Sequence, residues 1–181
     1  MSLESPRAVG ILALQGSFEE HAKMIRALGY EVRLVRSMAD TADLSACILP
    51  GGESTTLMKL LAETGLDEWL KKSAQNGLPI YGTCAGMIVL AKLGLIEIDV
   101  DRNAYGPQLH SFETDVDFLG KPFPGIFIRA PKIIKIGSMV DILSKDGKTP
   151  VLVREKNIMA GSFHPELTTD SRIHAYFMDN V

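Results

Sequence analysis

The sequence predicts an α/β fold of three layers, a flavodoxin-like arrangement in which a largely parallel central sheet carries helices on both faces and an antiparallel extension. Three observations predict it. Through the first half, apolar runs of strand length alternate with segments of helical period. Those runs are apolar at successive positions, as in strands buried on both faces of a parallel sheet. Beyond Gly94 the pattern changes to short stretches that alternate with period two.

Ala8 to Leu14 is almost wholly apolar and reads as the first strand. Ser17 with Glu20 three positions on makes a capping-box pattern, and Phe18, Ala22, Ile25 and Leu28 share one helical face before Gly29. Val32 to Val35 and Ala46 to Leu49 read as further strands, Ser54 is placed to cap a helix through Leu61, and Leu66 to Gln75 reads as a helix closed by Gly77. A short strand from Leu78 to Tyr81 feeds a helical stretch from Ala85 to Lys92. Beyond Gly94, Ile96, Ile98 and Val100 alternate with Glu97, Asp99 and Asp101, and Phe112, Val116 and Phe118 follow in the same way. Gly125 to Ile128, Ile133 to Ile136, Val151 to Arg154 and Ile158 to Phe163 read as strands before a last helix from Ser171 to Met178. In sheets of this kind, sites lie beyond the carboxyl ends of strands.

The chain has 181 residues, 46% of them apolar, enough for one sizeable core. A single domain over residues 8–181 is expected, with 1–7 as an N-terminal extension. Lys and Arg total 19 against 22 Asp and Glu, and no basic stripe marks a nucleic-acid surface. The apolar stretch beginning at Met87 meets Lys92 well short of the roughly 20 residues a bilayer span requires, so no membrane partner is expected. Cys47 and Cys84 form no disulfide framework and no metal-ligand spacing. A reducing cytoplasm suits them, with no metal and no cofactor. Cys47 lies in the apolar run Ser45 to Leu49, where a small hydrophobic side chain is ordinary core filling.

Cys84 differs, because Gly82-Thr83-Cys84-Ala85-Gly86 reads as a nucleophile elbow between a strand and a helix. Small flanking residues let the two backbones approach while the turn holds the thiol up. The unpaired N–H groups at a helix N-terminus favour thiolate over thiol. A general base is then needed. Phe163-His164-Pro165-Glu166 supplies His164 with a carboxylate two residues on, which projects to the same side if the segment is extended. Taken alone, that His-x-Glu is as readily a solvated pair at a strand end. Pro50-Gly51-Gly52-Glu53-Ser54 follows another strand and should open at the same sheet edge. The amides of Gly52 and Ala85 could form an oxyanion hole, worth about 2.7–4 kcal/mol per donor. The plainer reading is a Gly-rich turn capping a helix. His21 and His174 fall within helices and read as surface or packing residues, and His110 lacks a carboxylate placed to orient it.

In chain order, the Gly-Gly loop, the Gly-Thr-Cys-Ala-Gly elbow and the His-Pro-Glu tripeptide resemble the class I glutamine amidotransferases. Leu14-Gln15-Gly16, Pro50 to Thr56, Arg102-Asn103-Ala104-Tyr105-Gly106, Phe127-Ile128-Arg129-Ala130-Pro131 and Ser162 to Thr168 narrow the resemblance to the glutaminase subunits of pyridoxal 5′-phosphate synthase. It runs from about Val9 to the last helix. It implies Cys84, His164 and Glu166 as a triad, and Gly52, Glu53, Ser54, Arg102, Ile128 and Arg129 as contacts for L-glutamine. It implies as well that ammonia passes to a synthase subunit, which would switch the glutaminase on. Gln15, Gly16 and Gly51 lie on pliable loops suited to that switch. This chain has Pro107 where the family usually has Arg, and its Lys92–Leu93 connection is shorter. Two rivals stand beside this reading: an amidotransferase subunit serving another pathway, and a noncatalytic redox sensor or chaperone of similar fold.

Overall fold

A computed structural model describes residues 8–102 and 111–181. The expected extension 1–7, the segment Asn103 to Gly106, Pro107 and His110 lie outside the described residues.

The chain runs β1 (Ala8–Leu12), α1 (Phe18–Ala27), β2 (Val32–Val35), β3 (Leu44–Leu49), α2 (Ser54–Thr64), α3 (Leu66–Gln75), β4 (Ile80–Thr83) and α4 (Ala85–Lys92). It continues through β5 (Ile98–Asp101), β6 (Ser111–Phe118), β7 (Lys121–Ile128), β8 (Lys132–Ile136), β9 (Asp141–Asp146), β10 (Thr149–Glu155), β11 (Ile158–Gly161) and α5 (Arg172–Asn180). Short 3₁₀ turns occupy Met38–Thr41 and Pro165–Leu167.

Among the described residues, nine strands form one sheet in the order β2-β1-β3-β4-β11-β10-β9-β6-β7, while β5 and β8 pair separately. The first five are mutually parallel. The rest run antiparallel from β11 outward. The expected parallel sheet with an antiparallel extension is therefore the observed one. The β7 edge carries Pro122 and Pro124, tolerated there because an edge strand has no second ladder to supply.

The period-two rule divides the core into two layers. On β1 and β3, Val9, Ile11, Ala46 and Ile48 face Ala22 and Ile25 of α1 and Ile173 and Phe177 of α5. Ala8, Leu12, Cys47 and Leu49 face Leu57 and Leu61 of α2, Leu66 and Leu70 of α3 and Met87 and Leu90 of α4. Cys47 is core filling, as expected: it has no exposed surface, and burial pushes its thiol up to about 12.

Local expectations needed correction at three places. β9 is absent from the sequence reading because Asp141, Lys145 and Asp146 mask its short apolar centre, yet it bridges β10 and β6. Glu53, not Ser54, caps α2: its carboxylate accepts from the amides of Thr55 and Thr56, leaving Ser54 as the first helical residue. Ser17 precedes α1 but makes no side-chain cap, because its hydroxyl is used elsewhere. The short Lys92–Leu93 connection ends in a complete Schellman turn, with Gly94 N–H on Ala91 O and Leu95 N–H on Leu90 O.

Candidate active site

Topology assembles the site before any side chain is considered. β3, β4 and β11 are consecutive parallel neighbours, so the segments after them open at one sheet edge. Those segments carry Gly51-Gly52-Glu53, Cys84 and His164. β1 flanks β3 in parallel and brings Gln15-Gly16 alongside.

Cys84 has φ 50° and ψ −107°, a left-handed conformation that a non-glycine residue adopts only when its surroundings impose it. Here they do. A Cβ on Gly86 would lie 2.1 Å from the Leu49 carbonyl oxygen, and one on Gly82 would lie 2.6 Å from the Gly86 carbonyl carbon. With that contact secured, α4 begins at Ala85, whose N–H, as the first of the helix, has no partner within it. Cys84 is 6% exposed, and its thiol points to the Ile128 carbonyl at 3.9 Å.

His164 caps the 3₁₀ turn Pro165–Leu167, with its amide on Ile126 O at 2.8 Å. The segment is a turn and not the extended strand expected from the sequence. It still delivers Glu166 to the imidazole, because a 3₁₀ turn folds the carboxylate back over the residue that opens it. His164 Nδ1 lies 2.7 Å from Glu166 Oε1, and Cys84 is the ring's other hydrogen-bond partner. Burial on its own lowers the imidazole pKa. The hydrogen bonds and negative charge of Cys84 and Glu166 outweigh it and raise His164 to about 10. Burial likewise opposes ionisation of Glu166, but His21, His164 and the Ser17 hydroxyl hold the carboxyl at about 2. The Ser17 Oγ–Glu166 Oε1 distance is 2.7 Å, which is where the missing cap hydroxyl has gone.

Behind Glu166 lie two histidines that the sequence reading set aside as surface or packing residues. His21 and His174 have no exposed surface, and their ring nitrogens Nδ1 and Nε2 are 2.9 Å apart. His21 Nε2 is 3.0 Å from Thr83 Oγ1 and 3.4 Å from Glu166 Oε2. The available signal was a histidine beside the apolar positions Ala22 and Ile25 in one helix and Ile173 and Phe177 in the other. A polar ring on a buried face needs a partner.

In front of Cys84, Gly51 lies so close that a Cβ there would come within 2.4 Å of His164 Cε1 and 3.3 Å of Cys84 Cβ. A Cβ on Gly16 would lie 1.7 Å from the Gly51 carbonyl oxygen, which also accepts from the Ser17 amide. The Gln15 amide grips the same loop from both sides, donating to Glu53 O at 2.9 Å and accepting from Glu53 N at 3.3 Å. Arg102 pairs with Glu53 Oε1 at 3.3 Å and reaches Thr55 Oγ1 at 3.4 Å. Both partners are half exposed, so this pair adds little stability and is free to exchange. Arg129 is exposed at φ 44°, beside exposed Ile128. Ser54 is buried, and its hydroxyl finds no partner among the described residues. Of the expected substrate contacts, Gly52, Glu53 and Ser54 follow β3, Arg102 is turned to Glu53, Ile128 meets the thiol through its carbonyl, and Arg129 is exposed beside it. Among the described residues, no group of three or more His, Cys, Asp or Glu side chains is disposed to hold a metal ion. No described helix is long and apolar enough to cross a membrane.

The chain is similar to known proteins over nearly its whole length. A family model described as the SNO glutamine amidotransferase family matches residues 11–181. The chain is 48% identical over 184 residues to a protein of Fervidobacterium nodosum named pyridoxal 5′-phosphate synthase subunit PdxT, covering 96% of each. It is 50% identical over 183 residues to the protein of that name in Pelotomaculum thermopropionicum, covering 94% of this chain and 93% of the other. Among solved structures, one described as a glutamine amidotransferase superposes with a TM-score of 0.91 at 46% identity, over 95% of this chain and 97% of the other. The PurLQS structure from Thermotoga maritima, at TM-score 0.73 and 20% identity over 93% of this chain and 91% of its own, shares the fold.

Proposed function

The chain belongs to the SNO glutamine amidotransferase family, and on that premise we propose that Cys84, His164 and Glu166 hydrolyse L-glutamine to L-glutamate and ammonia. The chain is then the glutaminase subunit of a pyridoxal 5′-phosphate synthase, the assembly its relatives are named for. The observation that carries the triad is the thiol held left-handed at the start of α4, sharing an imidazole whose other nitrogen is 2.7 Å from a buried carboxylate.

The Cys84 thiolate attacks the side-chain amide carbon, and the carbonyl oxygen takes up negative charge. The amides of Ala85 and Gly52 are the donors suited to it. His164 as imidazolium protonates the departing nitrogen, and ammonia leaves a glutamyl thioester. His164, now neutral, takes a proton from water, which attacks the thioester; the C–S bond breaks, L-glutamate leaves, and the thiolate is restored beside the imidazolium. Glu166 keeps the ring in the Nδ1–H tautomer and stabilises the imidazolium at each transfer. Arg102, released from Glu53, and Arg129 offer paired donors to the substrate's carboxylate, and Glu53 and Ser54 complete the contacts.

Ammonia goes to the synthase subunit, whose docking turns the glutaminase on. The Gln15 side-chain amide and the Gly16 backbone hold the Gly51-Gly52-Glu53 loop by its backbone, so a partner that moves the first loop moves the oxyanion donors. A preference of about 3 kcal/mol for the productive loop would raise its population more than a hundredfold. A glutamine-to-glutamate assay with and without the synthase subunit tests both parts. Hydrolysis should be weak alone and strong in the mixture. Equal rates would remove the switch and leave the triad; no hydrolysis in either would remove the triad.

A further inference from the structure

The triad reading leaves the second oxygen of Glu166 unexplained. Oε1 accepts from both His164 and Ser17, whereas Oε2 is buried with no hydrogen-bond donor among the described residues except what His21 offers at 3.4 Å. A carboxylate oxygen in such a place is stable only beside the positive end of a dipole.

Two tautomers of the His21–His174 pair are possible, and their consequences differ. If His21 carried its proton on Nδ1, that proton would go to His174 Nε2, and His174 would carry its own on Nδ1. His174 Nδ1 is buried with no partner among the described residues, so a donor would be stranded there. The bare Nε2 of His21 would also turn its lone pair on Glu166 Oε2. The opposite arrangement removes both faults: His174 Nε2–H donates to His21 Nδ1, and His21 Nε2–H lies between Thr83 Oγ1 and Glu166 Oε2. It strands only a lone pair on His174, and a bare acceptor costs less than a bare donor.

We propose that His21 is a positioning residue for Glu166, fixed by His174 as the neutral Nε2–H tautomer so that its N–H dipole holds the carboxylate from the side opposite His164. The inference rests on the triad reading of Glu166. The groups facing His21 are Glu166 and His164 from the segment after β11, His174 from α5, Tyr81 and Thr83 from β4, and Glu20 on α1. Burial outweighs the acidic groups among them and lowers the proton affinity of His21, and an imidazolium there would donate from Nδ1 to His174 Nε2 and strand the His174 Nδ1–H, so what His21 offers Glu166 is an N–H dipole.

An N–H aimed at the carboxylate lowers the affinity of the whole triad for protons, so its removal shifts proton uptake to higher pH. The test follows Cys84 alkylation by iodoacetamide against pH, read by intact mass on the full chain, in wild type, His21→Leu and His21→Gln. His21→Leu should move the acid edge of the profile up by about one pH unit. His21→Gln, whose amide nitrogen can stand where Nε2 stood, should return it toward wild type. A folded His21→Leu variant with an unmoved edge, or a His21→Gln edge shifted equally far, would overturn the proposal. Should His21→Leu fail to fold, histidine-selective ¹⁵N spectra of the wild-type chain, with four rings to assign, decide the matter. Nε2–H tautomers at His21 and His174, constant through the usual titration range near 6.5, are expected. An Nδ1–H tautomer at His21, or an imidazolium there in that range, would overturn it. Failure of the triad reading looks different: wild-type Cys84 would alkylate like a free thiol, with its edge near 8.5.

Discussion

The two sides of the Cys84–His164 pair are built on opposite principles. Behind it, Glu166, His21, His174 and Thr83 are buried side chains joined to one another and drawn from helices and strands. In front, Gln15, Gly52, Glu53, Arg102 and Arg129 lie on segments between elements, largely exposed, and what order they have comes from hydrogen bonds between exposed side chains and loop backbone and from one half-exposed ion pair. A buried, mutually bonded group cannot shift without losing several contacts at once, which suits the parts that set proton affinity. Exposed loops exchange partners cheaply, which suits the substrate and partner contacts proposed for them.

Substitutions should separate the two sides by which quantity they change. Cys84→Ala gives the largest effect: hydrolysis should disappear while the melting transition stays cooperative, and substantial residual turnover would break the assignment at its centre. Glu166→Gln comes next, with kcat down by at least about tenfold because the amide cannot stabilise imidazolium. The same variant tests the electrostatics through stability. His164 is raised, so its contribution is full below 6.5 and is lost as pH rises through about 10. Glu166 is lowered, so its contribution is full above 4.5 and is lost as pH falls through about 2. The urea midpoint of wild type should therefore exceed that of Glu166→Gln most between those unfolded values and converge with it toward both extremes. A pH-independent gap would show that packing alone joins the pair.

On the front side, Arg102→Lys should raise KM several-fold with kcat nearly kept, since a point charge replaces a paired donor used in ground-state binding. A fall confined to kcat would place Arg102 with the back wall instead. Gln15→Ala should leave the fold intact and reduce the rise in hydrolysis on adding the synthase subunit. Cys47→Ala is the smallest, costing about 1 kcal/mol of stability with turnover unchanged, and an electrophilic glutamine analogue should label Cys84 and spare Cys47.

This division also explains what the sequence could disclose. The chemistry of the triad and of the loop before it is local: Pro50 to Ser54, Gly82 to Gly86 and Phe163 to Glu166 each place their groups within a few residues, so a pattern reader meets them whole. The parallel sheet was legible for a like reason, since β1, β3 and β4 are continuous apolar runs. The back wall is joined by contacts spanning up to 153 residues, as between His21 and His174, and no spacing rule links positions that far apart. Ser17 misled for a physical reason. Its sequence fits a cap, but a buried carboxylate is a stronger acceptor for a hydroxyl than a helix amide is a donor to it. β9 was missed because its partners on both sides, and not its own residues, make it a strand.

The contact between Gly16 and the Gly51 carbonyl has a consequence for how this protein can vary. A side chain at position 16 would strike a backbone oxygen, and no substitution at position 51 alters a carbonyl. A side chain at position 51 would strike His164 and Cys84, which cannot yield without changing the machinery itself. Damage at either site thus has no local genetic remedy. A suppressor selection begun from Gly16→Val should return reversions at codon 16 and none at codon 51, whereas one begun from a truncated core leucine should return many second-site repairs.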